Sequence, residues 1–160
     1  MKTRDAAIAD APAIARIYNE GIDDRVATFE TRHRTADEVV QWRDGRRPVV
    51  VVEDDEGDVI AFAATSTYRA RDCYAGIAEF SVYVARTARG RGAGRTAMEA
   101  LFVAARAAGF WKLVSRVFVE NAASRGLLRS LGFREVGVYE KHAQLDGEWR
   151  DVVIVEKRLG

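Results

Sequence analysis

Apolar residues recur at two different spacings along this chain, and the changes between them mark out its elements. Val49 to Val52 is an unbroken apolar run, which predicts a buried strand. Val59 to Tyr68 and Ile77 to Val84 read as two more strands, the first entered through the hairpin turn Asp54-Asp55-Glu56-Gly57-Asp58. On the strand ending at Val84, Phe80, Val82 and Val84 share one face, and Glu79, Ser81 and Tyr83 share the other. Elsewhere the spacing is helical. Ile14, Ile17 and Tyr18 mark one face of a helix starting near Asp10, with Pro12 in its first turn. A loop over Gly21 to Arg34 follows it. Thr35-Ala36-Asp37-Glu38 is a capping box that opens a second helix, with Val39 and Trp42 on its buried side. Met98, Leu101, Phe102 and Ala105 form the stripe of a third helix over Thr96 to Ala108, with Gly109 suited to its C-cap. Lys112 to Val119 is a strand. Asn121 caps a fourth helix, which turns Leu127, Leu128 and Leu131 inward and ends at Gly132. Two last strands, about Arg134 to Lys141 and Glu148 to Lys157, are joined at Leu145-Asp146-Gly147.

The element order is then roughly β-α-α-β-β-β-α-β-α-β-β. This is a mixed α/β chain with an antiparallel meander in its middle, and a doubly wound fold would alternate strand and helix more strictly. At 160 residues the chain fits one domain.

Composition narrows the chemistry. Hydrophobic residues make up 48% and charged residues 31%, an ordinary globular mix. The net charge of +1 gives no overall bias toward nucleic acid or an anionic membrane. There is no apolar run long enough to span a bilayer and no signal-peptide core at the start, so the cytoplasm is the expected compartment. The single Cys73 excludes an intramolecular disulfide, and with only His33 and His142 beside it no metal site is expected.

Against this even background the stretch Arg86-Thr87-Ala88-Arg89-Gly90-Arg91-Gly92-Ala93-Gly94-Arg95 stands out. It lies between a strand and a helix, where glycine-freed N–H groups and the helix dipole bind phosphate oxygens. It is not GxxxxGK[ST], so it is not a P-loop. A dinucleotide site would want an acidic residue about 20 residues on, and none occurs from Leu101 to Val119.

Arg89-Gly90-Arg91-Gly92-Ala93-Gly94 resembles the R-x-x-G-x-G motif of the GNAT acetyltransferase superfamily. Glu120-Asn121-Ala122-Ala123-Ser124, then Leu127, then Leu131-Gly132-Phe133, is similar to that family's second motif, at the usual separation. The resemblance implies a GNAT-like fold over residues 1–160, a central mixed, mostly antiparallel sheet flanked by about four helices. It implies acetyl-CoA as cofactor. The pyrophosphate would lie on Arg89, Gly90, Arg91, Gly92, Ala93, Gly94 and Arg95, and the pantetheine arm on the strand edge at Val82, Tyr83 and Val84. Asn121 and Ser124 would reach the cofactor.

Further segments resemble one branch, the phosphinothricin and arsinothricin N-acetyltransferases. They include Ile14 to Glu20, Ala27 to Thr31, Tyr68 to Arg71, Cys73-Tyr74, Ala78 to Val84, Phe110 to Arg116 and Asp146 to Val152, nearly the whole chain. The branch implies a small glutamate-like acceptor with a phosphinate or arsinate head, with the related methionine sulfone as another acceptor, and a homodimer with no nucleic-acid or membrane partner. Arg69, Arg71 and Tyr74 match the positions that grip the head group, and guanidinium suits oxyanions because it donates in a planar fork. Phe29 and Thr31 match a loop lining the acceptor pocket. Glu79 matches the carboxylate that acts as general base. The acceptor amine is protonated at neutral pH, so a base is needed before it can attack a thioester. The backbone N–H near Val82 is suited to steady the oxyanion. Leu128 stands where many relatives carry a tyrosine acid, which leaves solvent, Tyr139 or His142 to protonate the leaving thiolate. Two other readings stay open: acetylation of a protein N-terminus, and a non-catalytic acyl-CoA module.

Overall fold

A computed structural model describes all 160 residues. In chain order the elements are β1 (Lys2–Asp5), α1 (Ala11–Asp23), α2 (Ala36–Val40), β2 (Val49–Glu53), β3 (Val59–Thr67), β4 (Ile77–Val84), α3 (Ala93–Ala107), β5 (Lys112–Phe118), α4 (Ala122–Ser130), β6 (Arg134–Leu145) and β7 (Glu148–Arg158). The strands form one sheet in the order β1-β2-β3-β4-β5-β7-β6. Every neighbouring pair is antiparallel except β4 and β5. This is the expected mixed, mostly antiparallel sheet with four helices.

Successive residues of β4 point to opposite faces. Val84 approaches the start of α3, within 3.5 Å of where a Cβ on Gly94 would lie. Tyr83 presses on α1, and a Cβ on Gly21 would come within 2.5 Å of its ring. So α1 and α3 cover opposite faces, and Gly21 is the residue that lets α1 come close. Tyr83 also stacks on Phe62 at 5.6 Å and meets Tyr18 edge-on at 5.1 Å. Beneath α3, small residues Ala61 and Ala63 with Val50 and Val52 of β2 are sealed from solvent with Ala97, Met98, Leu101 and Ala105.

Several boundaries differ from the sequence expectation. The second helix is a single short turn, although the Thr35–Glu38 capping box forms as expected and Val39 is buried. The third helix begins at Ala93 rather than Thr96, because Gly92 adopts φ +84° and serves as its N-cap. Phe102 on its stripe is only half-buried. β6 runs on to Leu145, through an irregularity where Lys141 takes φ +48°. The opening strand of the expected order is present as β1, which pairs with β2 over four residues that are all exposed.

Only three residue pairs join β4 to β5: Ile77 to Lys112, Ala78 to Leu113 and Glu79 to Val114. Beyond Glu79 the ladder stops, and the Ser115 hydroxyl donates to the Phe80 carbonyl at 2.9 Å. From there the strands part, and β4 presents a backbone edge with no strand beside it.

Candidate functional site

The parting of β4 and β5 opens a cleft of about 60 Å³ bordered by Phe80, Ser81, Val82 and Tyr83 on one side. Ser115, Arg116, Val117, Asn121, Ser124 and Leu128 border the other. Leu128, where a tyrosine acid would stand, is buried and apolar. The Tyr83 ring faces α1 and is no acid either, since burial pushes its hydroxyl well above the ordinary phenol range.

At the end of β4 the chain enters the glycine loop. Gly90 and Gly92 take φ of +80° and +84°, a region costly for any residue with a Cβ. The backbone N–H groups of Arg89, Gly90, Arg91 and Gly92 have no backbone acceptor. α3 starts without a side-chain cap, so its first-turn N–H groups are also free to meet an anion. The loop therefore fits a pyrophosphate through its backbone.

The arginines divide their work. Arg86 Nη2 and Arg89 Nη2 lie 2.8 and 2.7 Å from the Asp24 carboxylate at the end of α1. Burial pushes that carboxyl up, but the two arginines outweigh it and hold it below its usual range. The Arg89 side chain thus anchors the loop, while its backbone remains available. Arg91 reaches only the Thr87 carbonyl, and Arg95 bonds Ser130 at 2.6 Å. Asn121 is similarly committed: its oxygen caps α4 by accepting from Ser124 N, and its amide donates to the Val26 carbonyl.

A second cavity, about 300 Å³, lies on the α1 side of the sheet. It gathers Arg69, Tyr74 and Glu79 with Lys112, Arg116 and Tyr139. Glu79 Oε1 accepts from Arg116 Nη2 at 2.8 Å, and Arg116 Nη1 lies 3.2 Å from His142 Nε2, itself stacked on Tyr139. Ser115 and Arg116 border both this cavity and the cleft, so the two meet there.

Three sequence expectations are not gathered into the cavity. Arg71 is exposed and does not line it, because the chain turns at Arg71 into a 3-10 turn over Asp72–Tyr74. Phe29 instead packs edge-on against Phe118 at 4.8 Å, beside Leu145 and Val152. Thr31 is exposed. The Val26 to Phe29 loop roofs the cleft, fastened by Asn121 and by an Arg25–Asp146 ion pair at 3.1 Å. Arg116 and Ser115 went unassigned. Their signal was available, since a strand beside β4 with alternation in register turns Arg116 to the same side as Glu79.

The family model described as Acetyltransferase (GNAT) family matches residues 14–133. An L-methionine sulfoximine/L-methionine sulfone acetyltransferase of Pseudomonas paraeruginosa is 34% identical, over 98% of this chain and 93% of its own. A GNAT superfamily phosphinothricin acetyltransferase from Sinorhizobium meliloti, solved in complex with acetyl-CoA, superposes with a TM-score of 0.92 at 31% identity, over 99% of this chain and 88% of its own. A ribosomal-protein-alanine N-acetyltransferase from Brucella melitensis superposes at 0.93 with 33% identity, over 99% of both chains. A split sheet, a backbone phosphate cradle and these matches agree, and the chain belongs to the GNAT family of acetyl-CoA-dependent acetyltransferases.

Proposed function

We propose that this enzyme acetylates the α-amino group of a free, glutamate-like amino acid with a tetrahedral head, of the phosphinothricin, arsinothricin or methionine sulfone type, and so confers resistance to such toxins. The observation that carries this is the meeting of the two cavities. Arg69 and Tyr74 share a cavity with Glu79, and that cavity opens through Ser115 and Arg116 into the donor cleft. Arg69 has no carboxylate partner and lies over the Tyr68 ring at 4.9 Å, so its charge is available to an oxyanion or sulfone head. Glu79, directly or through one water, takes a proton from the acceptor ammonium. The nitrogen lone pair then attacks the thioester carbonyl, the C–N bond forms and the C–S bond breaks; the nitrogen sheds its second proton to solvent, and the thiolate takes one from solvent and leaves as thiol. The free β4 edge near Val82 supplies a backbone donor for the oxyanion.

The exposed Val136, Val138, Tyr139 and Trp149 of the final hairpin support a homodimer, with a second copy against that hairpin. Sedimentation of the purified chain checks it; a monomer at micromolar concentration refutes it.

The likeness to the Brucella ribosomal-protein-alanine N-acetyltransferase favours a second reading, acetylation of a protein N-terminus. A thiol-release assay with acetyl-CoA separates the two. Turnover of phosphinothricin, arsinothricin or methionine sulfone, without turnover of an alanine-initial peptide, supports the amino-acid reading. The reverse result refutes it.

A further inference from the structure

Arg116 stands at the junction of the donor cleft and the acceptor cavity, and its bonding is incomplete. A guanidinium carries five N–H donors and no acceptor. One is given to Glu79 and one to His142, so five less two leaves three without a protein partner. The neighbouring acid does not compete for these donors: Glu156 is held by Lys112 at 3.1 Å and by Arg134 at 2.6 Å. Besides that Glu156 cluster, the wall offers a second cation–anion couple, Arg116 with Glu79, next to the unpaired Arg69.

A free α-amino acid carries an ammonium and a carboxylate on one carbon. The Arg116–Glu79 couple presents the complementary charges side by side. We infer that Arg116 is the anchor for the acceptor's α-carboxylate. The carboxylate takes the guanidinium fork in place of Glu79. The Glu79 oxygen so released accepts a hydrogen bond from the acceptor ammonium and then its proton, leaving the nitrogen lone pair free. This rests on the amino-acid reading above and adds a specificity rule to it. An amine without an α-carboxylate leaves Arg116 on Glu79 and meets an occupied base. Arg116 thus selects free amino acids against peptide N-termini and simple amines, whatever the head group that Arg69 receives.

The test compares each accepted amino acid with its α-carboxamide at saturating acetyl-CoA, in wild type, Arg116→Gln and Arg116→Lys. Wild type is expected to prefer the acid by about 10- to 100-fold in kcat/KM, the range of a charge-assisted pair. Arg116→Gln is expected to abolish that preference from both sides, by raising KM for the acid and, since Glu79 loses its arginine partner, by raising kcat for the amide. Arg116→Lys, which keeps a point charge without the fork, is expected to restore part of it. Its intermediate preference supports the anchor even if the glutamine variant folds poorly. An Arg116→Gln enzyme that still prefers the acid overturns the anchor and leaves the proposed acetylation standing. A wild type that acetylates the peptide but no free amino acid overturns both.

Discussion

The glycine loop and the cavity proposed for the acceptor are built from opposite materials. In the loop the backbone offers the donors: four consecutive N–H groups from Arg89 to Gly92 lack backbone acceptors, and the Arg89 guanidinium is tied to Asp24. In the cavity side chains offer them, and the polar lining comes from Arg69, Tyr74, Glu79, Arg116 and Tyr139, on four separate stretches of chain. A backbone site is local and depends on conformation. A side-chain site is assembled across strands and depends on which residues alternate toward it.

That contrast sets the order of the expected effects. Glu79→Gln should lower kcat by about 10²–10⁴-fold, with KM for acetyl-CoA little changed. Steady-state kinetics against both substrates check it; an unchanged kcat removes Glu79 from the chemistry. Gly92→Ala should act on the other site alone. The residue sits at φ +84° in open space, so the cost is conformational, about 1–2 kcal/mol, or roughly 5- to 30-fold in acetyl-CoA affinity. Calorimetry with the donor measures it. A change in acceptor KM instead would break the division between the two surfaces.

Asp24→Asn is expected to be milder, because Arg86 and Arg89 are about half exposed and water screens the pairs. About 1 kcal/mol, or a fall of 2–4 °C in Tm, is expected in a thermal melt. The smallest effect is on pH dependence. Backbone N–H bonds, chiefly from Arg47, hold the Asp44 carboxyl at about 2, and bonds from Arg4 lower that of Asp10. Between about pH 4 and 2 the unfolded chain therefore binds more protons at these groups than the folded one. Their stabilisation is present above that window and fades as pH falls through it. Melts across pH 2–6 would show it, and the Asp10→Asn variant should flatten part of the slope.

The same contrast explains what the sequence could tell. Three glycines between a strand and a helix announce a phosphate cradle because every determinant lies within ten residues. The sheet's centre was legible for a similar reason: Val49–Val52 is apolar throughout and is buried as read. Arg71, matched by resemblance alone, lies outside the cavity because the chain turns there, and that turn leaves no periodic pattern in the sequence. Arg116 was missed because its partner Glu79 lies 37 positions away, joined to it only through the short β4–β5 pairing. The opening strand stands in the expected element order, but no residue pattern bounds it, since Lys2–Asp5 bury nothing and are ordered by β2 alone.

The three-pair junction of β4 and β5 has one further consequence. A sheet that unzips in its middle keeps an unprotected margin inside the molecule, where a continuous ladder would have shielded the amides. Those on the open side of Phe80 to Val84 should exchange their hydrogens with water faster than those shared with β3. A donor lying along that margin behaves as a short detachable strand. Its arrival closes the ladder and stiffens the seam, so part of the fold's cohesion is lent by the ligand and returned when it departs.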